Sequence, residues 1–263
     1  MASPPHTQSV LITGAARRIG AAMARALAAD GWFVVVHFNR SGEDARSLLT
    51  DIRRDGGDGM LVSADLGDPE AAGALVHRVA AQAPPLAALV NNASMFAYDR
   101  LGSLTAEALD LHFAVNLRAP LLLCQAFVDC VAEDGTGCIV NMLDNKVLAI
   151  NPDYLSYTVS KAGLHGATLA LAMASAPRIR VNAIAPGITL ESGNQGRQSF
   201  EAGVRMSPLG RVSRVDDIIS TLRFILATPS LTGQVIAVDG GQMLQRLPRD
   251  VAFLEPEPSA DTP

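Results

Sequence analysis

The sequence predicts an α/β domain built on a seven-stranded, doubly wound parallel sheet with helices on both faces. Three observations point to it. Seven short apolar runs recur along the chain, each run is continuous rather than alternating, and each of the first six leads into a longer stretch of helical pattern or a loop and helix. Continuous apolar strands are covered on both faces, and strands that alternate with helices pair in parallel. A length of 263 residues suits one domain of this kind.

Taken in order, "SVLIT" (9–13) leads into the Ala-rich "RIGAAMARALAAD" (18–30), and "WFVVVHF" (32–38) into "GEDARSLLTDIRRD" (42–55). "GMLVSA" (59–64) precedes "DPEAAGALVHRVAAQ" (68–82), and "LAALVNNA" (86–93) precedes a long helical stretch from about Thr105 to Ala132. "CIVNML" (138–143) is followed by a helix near 153–175, and "RIRVNAIA" (178–185) by a loop and a helix near 214–227. "QVIAVD" (234–239) closes the series. No linker, repeat or low-complexity tract interrupts residues 1–253, which are expected to form one domain. The Pro- and acid-rich "LEPEPSADTP" (254–263) reads as a flexible tail. The stretch 187–213 has no clear strand, and a loop of that length in a compact domain is often a lid.

Composition narrows the function classes. Hydrophobic residues make up 49% and charged residues 18% of the chain, enough for a sizeable core. A net charge of −5 offers no general attraction to nucleic acid or to an anionic membrane, so any phosphate site is local. Cys124, Cys130 and Cys138 have neither CxxC spacing nor a zinc-site histidine, and read as free thiols in a reducing compartment. The opening "MASPPHTQ" has no basic or apolar region of a signal peptide, and no apolar stretch reaches spanning length without a charge or breaker. The expectation is a soluble cytoplasmic protein. The five histidines are scattered and no ligand spacing calls for a metal.

Ligands of such sheets bind beyond the carboxyl ends of the strands, so the segments after each run carry the chemistry. After the first run, "TGAARRIG" places Gly14 and Gly20 where a turn must tighten and approach a pyrophosphate at a helix N-terminus. Taken alone the motif does not separate a Rossmann-like dinucleotide turn from an ordinary βα turn, which also uses glycine. Arg18 replaces the middle glycine of the usual pattern, as a clamp on phosphate or substrate or as a solvated charge. After the second run, Asn39 stands where dinucleotide sites that prefer a free 2′-hydroxyl keep an acid. Arg40 follows, able to pair with a 2′-phosphate, with Ser41 and His37 as further donors. This pattern favours NADPH over NADH. Asp65 in "ADL" can accept from an adenine amino group, Asn91 in "NNAS" can hold adjacent strand ends, and Ala93 is small enough to pass a cofactor.

"YTVSK" sets Tyr157 and Lys161 at i and i+4, one above the other on a helix face. A phenol titrates near ~10, and a neighbouring ammonium favours its anion, so Lys161 is expected to depress the Tyr157 pKa. A surface Tyr/Lys pair would have no such effect; a desolvated one supplies the ~3–4 kcal/mol that a drop of ~2–3 units requires.

The Gly-rich turn, "NNAS", Asn116 in the long helix, Tyr157, Lys161 and "PG" at 186–187 follow one another in an order that resembles the short-chain dehydrogenase/reductase family over nearly the whole chain. The resemblance implies catalytic roles for Asn116, Tyr157 and Lys161, with Asn116 supporting a water relay and Lys161 holding the nicotinamide ribose. The family usually carries a serine some 13 residues before the tyrosine, where this chain has Asp144. A narrower likeness accommodates it. "TGAARRIG", "HFNRS", "NNASMF", Asp144 and "YTVSKAGL" are similar to the pteridine reductases, including the bacterial dihydromonapterin reductase group.

That likeness implies NADP(H) contacts at Gly14, Arg17, Arg18, Ile19, Gly20, His37, Asn39, Arg40, Ser41, Asp65, Leu66, Asn92, Ala93, Ser94, Met142, Tyr157, Lys161, Pro186, Gly187 and Ile188. It implies substrate contacts at Arg18, Ser94, Phe96, Asp144, Tyr157 and Leu190, with Phe96 stacking on a pterin and Asp144 helping Tyr157 to deliver a proton. The chemistry is consistent with it: reducing a dihydropterin C=N bond takes hydride at carbon and a proton at nitrogen. A carboxylate also accepts from the N–H groups of a pterin edge better than a serine does. Phe96 as core and Asp144 as a cap are the structural alternatives. An ordinary carbonyl or 3-oxoacyl reductase is the rival activity, and a non-enzymatic dinucleotide sensor the rival class. Apolar "LLLCQAF" and "LALAMA" exceed what one sheet face needs, which suggests association between subunits, and the family likeness implies a homotetramer.

Overall fold

The structure is a computed structural model, and it describes residues 7–190, 203–204 and 207–253. The seven runs form β1 (Ser9–Ile12), β2 (Phe33–Phe38), β3 (Asp58–Ser63), β4 (Leu86–Asn91), β5 (Gly137–Met142), β6 (Ile179–Pro186) and β7 (Val235–Val238). They make one parallel sheet in the order β3-β2-β1-β4-β5-β6-β7. The helices between them are α1 (Arg18–Ala29), α2 (Gly42–Arg54), α3 (Pro69–Ala80), α4 (Ala106–Phe113), α5 (Ala119–Cys130), α6 (Leu155–Ser175) and α7 (Val215–Ala227). The tail 254–263 and most of the expected lid lie outside the described residues.

Two apolar layers explain why the strands lack alternation. Val10 and Ile12 face a layer shared with α1, α2 and α7, while Leu11 between them faces the layer of α3 and α5. All three are fully buried, so neither parity of the strand is free to be polar. The helices carry their own boundary signals: Asp68 accepts from the Glu70 and Ala71 amides at the start of α3, with Pro69 in the first turn, and Thr105 caps α4 through the Ala108 amide.

The long helical stretch is not uniform. Between α4 and α5, residues Ala114–Arg118 form a π-helical turn, and Asn116 lies inside it. The helical run Ala106–Cys130 is long and apolar enough by length and composition to cross a bilayer. It packs against α3, β4 and α6, and 44% of its apolar window is buried.

The strand order reverses between β1 and β4. In doubly wound sheets a crevice opens at such a point, outside the carboxyl ends of the strands. The main cavity of the described residues opens there.

Candidate active site

The cavity has a volume of about 750 Å³ and runs from the β1–α1 turn past the ends of β4 and β5 to the β6 end and the C-terminal segment. Its cofactor-like half is built by close backbone approach. Gly14 has φ +60°, and a Cβ there would lie 2.9 Å from the Cα of Ala93. A Cβ at Gly20 would meet the Asn92 amide nitrogen at 2.7 Å. That amide donates to the carbonyl oxygens of Thr13 and Gly14, at 2.8 and 3.1 Å, and so ties the end of β4 to the turn after β1. The sequence reading named Asn91 as able to hold adjacent strand ends, and Asn92 adds this tie to it. Asn91 lies buried at the β4–β5 pairing and joins those adjacent strands by its side chain, donating to Asn141 at 2.8 Å.

Arg18 occupies the place of the missing glycine and keeps its backbone conformation, with φ +54°. A non-glycine residue in that region is strained, so the turn geometry is retained at a cost while a cation is gained. Arg18, Ile19, Asn39, Asp65, Leu66, Ala93 and Met142 line the cavity, as do Pro186, Gly187 and Ile188 beyond β6. Arg17 lines it too, but its guanidinium pairs with Asp44 of α2 at 2.5 Å. Arg40 and Ser41 follow Asn39 directly without being lining residues, and Arg40 is exposed.

His37 corrects an expectation. Its Nδ1 accepts from the Gly14 amide at 3.0 Å, and its Nε2 faces the Ala64 carbonyl oxygen at 3.2 Å. Both ring nitrogens are spent inside the protein, so the side chain offers no donor to a phosphate and instead braces the Gly-rich turn. Burial depresses its pKa to about 4, which keeps the ring neutral and Nδ1 able to accept.

The proton machinery lies where β5 ends and α6 begins. Tyr157 donates its hydroxyl to Oδ2 of Asp144 at 2.9 Å. Lys161, one turn along α6, donates to the Met142 carbonyl oxygen at 2.7 Å, and its Nζ is 5.8 Å from the centroid of the Tyr157 ring. Tyr157 and Lys161 are almost fully buried. Burial, and then the Asp144 carboxylate, push the Tyr157 pKa well above 10. The sequence reading expected Lys161 to lower it. Burial of the phenol and a nearby carboxylate outweigh an ammonium committed to a carbonyl oxygen. Burial also lowers Lys161 to about 8, against the attraction of Asp144. Asp144 itself is raised by burial, with the Lys146 amide and charge and the Tyr157 hydroxyl opposing. The arrangement holds a proton on the phenol and keeps a carboxyl beside it that protonates more readily than usual.

Asn116 is fully buried and is not a lining residue. Its Oδ1 accepts from the Met95 amide at 2.7 Å and from the Ser94 hydroxyl at 3.2 Å, and its Nδ2 donates to the Met95 carbonyl oxygen at 2.9 Å and to Ser160 at 3.0 Å. Every hydrogen-bonding valence of the amide is used, so a water relay through Asn116 requires one of these bonds to open. What the bonds do here is brace the 94–96 segment against α6. At roughly 1 kcal/mol net each, three such bonds hold that segment and the fourth, to Ser160, ties Asn116 to α6.

The segment so braced carries Phe96, which lines the cavity and is 41% exposed. Its ring meets the Tyr157 ring edge-on, with centroids 4.7 Å apart, and stacks on Tyr154 at 4.4 Å. Phe96 is therefore a wall of the cavity and not core. Ser94 and Leu190 line it as well. Asp99 adds a fixing point: its carboxylate accepts from the Ser156 amide at 2.9 Å and bonds the Ser156 hydroxyl, an acid at the positive end of α6.

Sequence reasoning missed the far end of the cavity. Tyr154, Lys146, Asp250, Val251 and Ala252 line it. The C-terminal segment is fastened there by Arg249, which donates to both oxygens of Asp153 at 2.8 Å, and by the Asp250 amide, which donates to Asp153 at 2.8 Å. Nothing in "LPRDVAF" marks it as site-forming, because the partner Asp153 is 97 positions away from Asp250. Among the described residues no group of His, Cys, Asp and Glu could hold a metal ion.

Comparison with known proteins extends these observations. A family model described as "Enoyl-(Acyl carrier protein) reductase" matches residues 14–243. An uncharacterized oxidoreductase of Methylorubrum extorquens is 34% identical over 239 residues, covering 88% of this chain and 96% of the relative. A 3-oxoacyl-[acyl-carrier-protein] reductase of Synechocystis is 30% identical over 241 residues, covering 90% and 97%. Among solved structures, FolM alternative dihydrofolate reductase 1 from Brucella canis, complexed with NADP, is 41% identical with a TM-score of 0.86, covering 91% of this chain and 96% of that one.

Proposed function

The chain belongs to the short-chain dehydrogenase/reductase family of oxidoreductases, and on that premise we propose that it reduces a dihydropterin to the tetrahydropterin with NADPH. The observation that carries the reading is the Tyr157–Asp144 hydrogen bond, set in a cavity that Phe96 walls from another side. The likeness to an alternative dihydrofolate reductase supports it.

The residues at the first half of the cavity suit a dinucleotide. Glycines that exclude a Cβ, the N-terminal turn of α1 and Arg18 would hold the pyrophosphate, Asp65 the adenine, Arg40 the 2′-phosphate, and Lys161 the nicotinamide ribose. When bound, NADPH supplies the hydride. The chain's own part is the proton and the geometry. Phe96, with Tyr154 stacked behind it, gives a flat ring a flat surface. Asp144 accepts from the N–H edge of the substrate and keeps Tyr157 protonated. Tyr157 gives its proton to the ring nitrogen, and the phenolate left beside the Asp144 carboxylate has a proton affinity high enough to be reprotonated from solvent once product leaves.

A second reading has an observation of its own. The Synechocystis relative is a 3-oxoacyl-[acyl-carrier-protein] reductase, so a carbonyl substrate is the alternative. NADPH oxidation with dihydrobiopterin and with a panel of ketones and 3-oxoacyl thioesters separates the two. Turnover of the dihydropterin at a higher kcat/KM is expected; turnover of carbonyl compounds alone rejects the pterin assignment.

A further inference from the structure

The cavity wall at the C-terminal segment contains a shielded ion pair that neither gives nor takes the transferred proton. Lys146 Nζ lies 2.5 Å from Asp250 Oδ2, with the two side chains only 8% and 14% exposed. The ammonium also donates to Asn151 at 3.0 Å and sits 5.4 Å above the ring of Tyr154, the ring on which Phe96 stacks. The other oxygen of Asp250 accepts from the Ala252 amide at 2.9 Å. Both members of the pair line the main cavity, and both line a second, smaller cavity of about 60 Å³ behind it, so the pair forms part of the partition between the two.

We infer that Lys146 and Asp250 are specificity-determining residues that select substrates by the charge of the substituent carried beyond the stacked ring, favouring neutral, hydroxyl-bearing substituents over anionic ones. The inference rests on the dihydropterin reading above and names the substrate class within it. The cavity is also lined by Arg17, Arg18, Lys161, Asp65 and Asp144; of these, Arg17 pairs with Asp44 and Lys161 donates to the Met142 carbonyl oxygen, while Lys146 and Asp250 are the pair at the C-terminal segment. An entering carboxylate would have to take Lys146 from Asp250 and leave the Asp250 carboxylate buried without its cation. Breaking a buried pair in this way is strongly unfavourable. A hydroxyl group faces no such demand, because it can donate to Asp250 while the pair stays intact. The Arg249–Asp153 clamp sits behind the pair and holds Asp250 in place without presenting a further net charge.

The test compares kcat/KM for dihydrobiopterin, whose substituent is neutral, with that for dihydrofolate, whose substituent carries glutamate, in wild type and three variants. Calorimetric affinities of the same two ligands for the NADP⁺-loaded proteins give a second readout. Asp250→Asn should raise the dihydrofolate-to-dihydrobiopterin ratio at least about tenfold, the scale of one broken buried charge contact. Lys146→Met should lower that ratio, because Asp250 is left as an unpaired anion. Arg249→Lys keeps the positive charge of the clamp beside Asp153, so it should change both substrates together and leave the ratio where it was. A ratio that stays within about twofold of wild type in both Asp250→Asn and Lys146→Met overturns the charge selection alone. Neither ligand being bound or reduced by the wild type overturns the dihydropterin reading and this inference with it.

Discussion

The hydroxyl of Tyr157 donates to Asp144 across 2.9 Å, while Lys161, a turn away on the same helix, donates to the Met142 carbonyl oxygen. The tyrosine is thus set against a carboxylate and not against the ammonium. Its pKa rises, and the protein holds a donor in readiness for reduction where an ammonium-dominated phenol would favour the anion.

Removing the donor tests that directly. Tyr157→Phe should lower kcat by about 10²–10⁴-fold, the usual contribution of a positioned acid. Affinity for NADPH, measured by fluorescence titration, should change little, because the phenol hydroxyl bonds to Asp144.

The carboxylate should appear in the pH profile. Asp144 raises the Tyr157 pKa by charge and by hydrogen bond, so Asp144→Asn should lower it. The basic limb of log kcat against pH, which marks loss of the donor proton, should then move to lower pH. A limb that stays in place would mean that burial alone sets the phenol.

Cofactor choice is expected to rest on Arg40. Arg40→Ala should weaken NADPH far more than NADH, by about 10–100-fold in Kd, the scale of a lost charge-assisted hydrogen bond. Equal losses for the two cofactors would reject a 2′-phosphate contact.

His37 makes stability depend on pH. Its folded pKa of about 4 lies below the unfolded value of 6.5, so the unfolded chain binds more protons between those values. Stability therefore rises with pH across that window and is lost on acidification. Between pH 7 and pH 5 the loss from this group is about 2 kcal/mol. Urea unfolding at the two pH values should show a difference smaller by about that amount in His37→Phe than in wild type.

The fold was legible because its signals are local. Seven runs of apolar residues, each flanked by a helical pattern, are enough to specify a covered parallel sheet, and all seven strands formed where those runs lie. Asp144 and Tyr157 were legible for a similar reason, as a strand end and a helix face that the sheet topology brings together. The roles of Asn116 and His37 were not. Which partners satisfy a buried amide or imidazole depends on segments far apart in sequence, and a π-helical turn at Ala114–Arg118 leaves no mark in residue periodicity. Lys146 and Asp250 were invisible for the same reason, since 104 positions separate two charges that meet in space.

The most direct test of the account is the ratio of kcat/KM for dihydrobiopterin to that for a simple ketone, measured in wild type and in Asp144→Ser. Serine is the residue the family usually carries at this place, so the variant should retain carbonyl chemistry while its dihydropterin rate falls, and the ratio should drop by at least about tenfold, the scale of one lost charge-assisted hydrogen bond. A ratio unchanged by the substitution would show that the carboxylate beside Tyr157 plays no part in handling a pterin.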